Sequence, residues 1–237
     1  MNTQSHNPRY LLGFRDGERG VHSSRTMMLA ELSQLLAITP ESASIPEFRR
    51  AVVEENVLGK RSAGNRQSSF LRLSELYALD PAVPIYRVLR RLWDDDLEGR
   101  SLLALFCAVA RDPLLRASAE VVLEAAEGAT VTSDALGATV HRPLAPTTRK
   151  SIGQNLASSW AQAGFLAGIV AKTRARAQAT PGAAAYALLL GFMEGHRGSL
   201  LLTTPWTRLL DRSPEDVLAL VRAASRRAWW STGRRAM

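Results

Sequence analysis

Lys60, Arg61 and Ser62 form a polar turn between two apolar stripes, and the helix expected to follow carries Asn65, Arg66, Ser69 and Arg72 on its outer face. Residues of these types at this spacing do the chemistry of phosphate and base-edge contact. Guanidinium and ammonium groups neutralise phosphates, and Ser and Asn hydrogen-bond to oxygens and bases. A second set opens a later helix with Thr148, Arg149 and Lys150, followed by Gln154 and Ser158. A third, Lys172, Arg174 and Arg176, alternates with small residues.

Bond-making chemistry finds no comparable set. The Walker loop, the GxGxxG fingerprint, the GxSxG elbow and the HExxH pair are all absent. Glu54 and Glu55, the one close acid pair on a strongly patterned helix, point to different sides of it. Asp94-Asp95-Asp96 lacks the Gly and the later Glu of a calcium loop, so N-capping of the apolar run from Leu97 is the better reading. His6, His22, His141 and His196 have no metal spacing. No cofactor or metal is expected, and the residues favour binding over catalysis.

The elements that would hold these sets are helices. Phe48, Val52, Val53 and Val57 make one stripe over Pro46–Gly59, with Gly59 at the capping position. Phe70, Leu73, Leu76 and Tyr77 make another after the Ser62 cap. Two helices joined by a short Gly-bearing turn have the shape of a helix-turn-helix; the plainer alternative is a helical hairpin with a solvated basic face. Further helices are expected near 23–38, with Met27, Met28, Leu32, Leu35 and Leu36 inward, and over 85–93, 101–110, 113–127, 133–140 and 147–164. The last are 181–194, 203–211 and 217–230, the final one ending in Trp229-Trp230. Weak alternation over 165–178 suggests a small β-hairpin with one basic face. Helix, connector, helix and hairpin in that order resemble a winged helix, although the Ala- and Arg-rich stretch 171–179 is also a good helix former. The expected fold is thus mainly α. A flexible arm, 1–22, anchored at most around Tyr10–Phe14, precedes an N-terminal helix-turn-helix-like domain over 23–128. A basic winged-helix-like C-terminal domain covers 129–237.

Charge supports the same partner class. Residues 141–237 hold 14 Lys or Arg against 4 Asp or Glu, a balance of +10, whereas residues 1–140 hold 16 against 18, a balance of −2. Such a segment attracts polyanions and gains affinity by releasing their counterions. Only 3 of the 30 basic residues are Lys, a bias that GC-rich coding also produces. The lone Cys107 excludes an internal disulfide and fits a reducing cytoplasm. The longest apolar runs, 102–110 and 183–193, are about half the roughly 20 residues that a membrane helix needs, and no secretory signal is expected.

Asn56-Val57-Leu58-Gly59-Lys60-Arg61-Ser62 resembles the "N-L-x-K-R-S" segment near the N-terminus of the BrxA proteins, accessory components of BREX bacteriophage-exclusion loci. Asp112-Pro113-Leu114-Leu115 is similar to that family's "dPll" segment. The stretch 144–168, with Ser158, Trp160, Gly164 and Leu166, is similar to its "s-x-x-T … G-l-l" stretch. The resemblance implies an all-helical, non-catalytic protein with winged-helix-like parts that binds double-stranded DNA beside other phage-defence proteins of its locus. Of the residues above, it carries over to Lys60, Arg61 and Ser62. The alternatives are an adaptor that docks helix faces onto defence proteins, and an RNA-binding helical protein.

Overall fold

Prolines in the first turn and hydroxyl or carboxylate caps fix where most helices start. The structure is a computed structural model and describes residues 8–227. In chain order the helices are α1 (Pro8–Leu12), α2 (Leu29–Ile38), α3 (Ile45–Arg49), α4 (Ala63–Tyr77), α5 (Pro84–Asp95) and α6 (Arg100–Arg111). α7 (Pro113–Ala117), α8 (Ala119–Glu124), α9 (Ser133–Ala138) and α10 (Pro146–Gln162) follow. The hairpin of β1 (Leu166–Ala167) and β2 (Thr173–Arg174) comes next, and α11 (Pro181–Met193), α12 (Pro205–Arg208) and α13 (Pro214–Arg226) complete the described chain. The mainly helical expectation holds.

α6 is the axis of the core. Every side chain from Leu102 to Arg111 is buried, so its continuous apolar run is covered all round, and α4, α5 and α11 pack against it. Side-chain caps close several helix starts. Ser62 accepts the Asn65 N–H, Asp112 accepts those of Leu114 and Leu115, and Ser213 accepts that of Asp216.

Several expectations are corrected. Residues 8–22 are not an arm. Phe14 is buried beside Trp206, Arg111 donates to the Gly13 carbonyl at 2.5 Å, and the Arg15 N–H bonds to the Ala110 carbonyl. Nor does the core divide near 128–131. One continuous apolar cluster runs from Phe14 to Val217, and Tyr186 on α11 donates to the Ile85 carbonyl on α5 at 2.9 Å. The expected 46–59 helix stops at Glu54 after a π-turn, because Asn56 adopts φ 52° and its side chain accepts the Lys60 N–H. Gly59, at φ 62°, belongs to the loop, not to a helix end.

The expected 113–127 helix breaks at Ser118, whose hydroxyl accepts the Trp160 indole N–H at 2.8 Å. Asp94–Asp96 cap nothing. Asp94 pairs with Arg90 and Arg100, and Asp96 accepts the Thr180 hydroxyl at 2.5 Å, while α6 starts after Gly99. Phe192 on α11 lies 48% exposed with the Arg197 guanidinium over its ring. Trp229-Trp230 lies outside the described residues.

Candidate nucleic-acid interface

α9 and α10 touch closely enough that only glycine fits between them. A Cβ on Gly153 would stand 1.9 Å from the Ser133 carbonyl oxygen, and one on Gly137 2.8 Å from that of Arg149. Glycine at both positions lets the short helix lie directly across the long one. The connector between them is held by Arg149, whose guanidinium donates to the carbonyls of Gly137, Val140 and Arg142. Beyond α10, Gly164 at φ 85° turns the chain into the hairpin, in which Leu166 pairs with Arg174 and Ala167 with Thr173. Residues 128–131 join β2 on its other side. The Gly128 N–H bonds to the Arg174 carbonyl, the Arg174 N–H to that of Ala129 and the Val131 N–H to that of Lys172. Helices α7 and α8, an edge segment, α9, α10 and a hairpin therefore follow one another, with β2 between the edge segment and β1.

α10 buries Ile152, Leu156 and Trp160, as the spacing predicts, and turns Thr147, Thr148, Lys150, Ser151 and Gln154 to solvent. Its first residue is Pro146 and Ala145 supplies no side-chain cap, so the first-turn N–H groups stay open at the positive end of the helix.

The other expected contacts divide sharply. Arg174 is buried, ion-paired with Asp211 at 2.8 Å and stacked over Phe165. With Arg149 it is a structural residue and not an outer contact. Lys172 donates to the Gly168 carbonyl at 2.6 Å, and Arg176 pairs with Glu127, so the hairpin has no uniform basic face. Lys60 pairs with Glu31 at 3.0 Å and Arg72 with Glu75 at 2.6 Å. Ser69 is buried, which removes it from the outer side of α4, and Leu71 is exposed there instead. Arg61, Asn65, Arg66 and Lys150 make no side-chain ion pair or hydrogen bond among the described residues, although Arg66 is half-buried and its Nε enclosed.

The two basic turns do not stand side by side. Lys60 reaches Glu31 on the first turn of α2, where the Leu29 N–H bonds to Gln162 Oε1 at the far end of α10. Lys150 lies about 18 Å away along that helix at 1.5 Å per residue.

A constellation that sequence spacing could not reveal lies beneath this face. His22 Nδ1 is 2.8 Å from Asp112 Oδ2, and His22 Nε2 is 2.8 Å from Ser159 Oγ. The order and distances match a Ser–His–Asp relay. The surroundings do not serve one. All three side chains are at most 1% exposed, and Ser159 Oγ also accepts the Met27 N–H at 2.8 Å and lies 2.9 Å from the Asn155 carbonyl. Enclosed in this way, the hydroxyl offers no approach to a substrate and instead ties the N-terminal segment to α10. Burial pushes the Asp112 carboxyl upward, but the bonds and charge of His22 and the Leu115 N–H outweigh it and hold it below its usual value. No signal marked the three as a group, because Asp112 and Ser159 lie 90 and 137 positions from His22.

Burial raises the Cys107 thiol to about 11, so it stays protonated and inert. Among the described residues no His, Cys, Asp or Glu cluster could hold a metal ion, and no helix is long and apolar enough to cross a membrane. No protein-family model, curated protein or solved structure matches the chain.

Proposed function

We propose that the protein is a non-catalytic binder of double-stranded DNA, with residues 113–177 acting as a winged-helix unit and α10 as its recognition helix. The observation that carries this is the solvent face of α10. It combines hydroxyls, an amide and an ammonium group without a partner among the described residues, in the half of the helix nearest its open positive end. Lys suits guanine edges, Gln suits adenine, and Ser and Thr suit either base or phosphate. The chain order of helix, edge segment, helix, helix and hairpin, with β2 between that segment and β1, supports a unit that presents its long helix to a major groove. The +10 balance of residues 141–237 supplies the long-range attraction. Arg61, Asn65 and Arg66, some distance away at the head of α4, serve as a second phosphate contact. The resemblance to BrxA segments supports a role in a cytoplasmic phage-exclusion system, alongside other products of the same locus.

The test is a competition gel shift with duplex DNA and duplex RNA of equal length, run on the wild type and on Thr148→Ala with Lys150→Ala. The DNA complex is expected to be preferred by the wild type and weakened about 10-fold or more in the double variant. Preference for RNA, or an unchanged grip by the variant, would contradict the reading.

A further inference from the structure

The hairpin tip carries the two most exposed large apolar residues described. Ile169 is 93% and Val170 98% exposed, and both are β-branched with few rotamers to lose. The turn beneath them is built. Gly168 takes φ 96°, and a Cβ there would meet the Ala171 carbonyl oxygen at 2.2 Å. The Lys172 ammonium donates back to the Gly168 carbonyl at 2.6 Å, and the Lys172 carbonyl accepts the Val131 N–H at 2.9 Å. Two apolar side chains are therefore held out in water by a braced loop.

The loop has a definite neighbour. Val131 precedes the cap of α9, and Ser133 on that helix touches Gly153 midway along α10. The tip thus lies at the end of the hairpin nearest the start of α9, the helix that rests on α10 at Gly153. Two side chains are far too small an area for a stable protein interface, which takes about 800 Å² from each partner. They match in size and type the apolar wedges that architectural proteins press between base steps from the minor groove.

We infer that Ile169 and Val170 form such a wedge. It enters the minor groove next to the major groove that holds α10, partly unstacks one base step and kinks the duplex. This rests on the DNA-binding reading above. It goes beyond it in assigning the tip to distortion of the DNA and in favouring sites with an easily unstacked pyrimidine–purine step.

The experiment uses the full chain and a duplex of about 25 base pairs, with 2-aminopurine at a central TA step and a fluorophore pair at the ends. On saturation with wild type, 2-aminopurine emission is expected to rise about two-fold or more and end-to-end transfer to increase. Ile169→Ala with Val170→Ala touches no packed residue. It is expected to bind within about 10-fold of wild type while losing both signals, and Ile169→Leu with Val170→Leu to restore them. Lys150→Ala should weaken binding yet leave the signals intact at saturation. Wild-type binding without either signal, or unchanged signals in the alanine pair, would overturn the wedge and leave DNA binding standing. Absence of any duplex binding would overturn both.

Discussion

Lys150 and Arg149 are neighbours in sequence with opposite duties. Lys150 has no ion pair or hydrogen bond among the described residues, so Lys150→Ala is expected to leave unfolding within about 0.5 kcal/mol of wild type and to reduce the salt slope of DNA binding by about 1. Arg149 donates to three carbonyls, one on α9 and two in the connector to α10. Arg149→Ala is therefore expected to cost about 1–3 kcal/mol in urea denaturation. The buried chain beneath gives a second residue-level expectation. Ser159→Ala strands the Met27 N–H and a ring nitrogen of His22, for a loss of about 2–3 kcal/mol in the same measurement. Asp112 adds a pH dependence. Its folded pKa lies below the reference 3.8, so its contribution is whole above that pH and is lost as pH falls through the lower folded value. Urea midpoints at descending pH should accordingly drop once pH passes below about 3.8, and a flat profile there would contradict the pairing.

Elements were legible in the sequence where the signal is local. The Ser62 cap and the stripe of Phe70, Leu73, Leu76 and Tyr77 mark α4, and that helix forms. What could not be read is whatever a distant partner decides. Arg174 has the same type and spacing as an outer wing cation, but Asp211, well along the chain, draws it inside. The strands are two residues long and the edge segment pairs through loop residues, so alternation had little length in which to show. The helix pair at 45–77 keeps its stripes, but its turn lengthens because Asn56 takes a left-handed conformation that no apolar period encodes. Gly153 is a test at this scale. Gly153→Ala must part α9 from α10, and a loss of about 2–4 kcal/mol in thermal or urea unfolding is expected, with weaker DNA binding as the recognition helix loses its support.

At the scale of the whole molecule the described residues share one continuous apolar core. Ser159 and Trp160 on α10 are completed by His22 and Ser118, and α11 closes over α5 and α6. The fragment 129–237 is therefore expected to lack a sharp thermal transition, and the full chain to give coincident fluorescence and circular-dichroism curves. A folded fragment would restore a two-domain division. The basic surplus of the C-terminal part is spread over this body unevenly. Several of its cations, Arg149 and Arg174 among them, brace the fold, while Lys150, Arg222 and Arg226 are exposed. The most direct test is fluorescence anisotropy of the full chain on a random-sequence duplex of about 30 base pairs, titrated at about 50 and about 200 mM salt. Binding is expected at the lower salt, with affinity falling on the order of 10- to 100-fold at the higher. No binding at the lower salt, or an affinity indifferent to salt, would contradict a protein built to hold DNA.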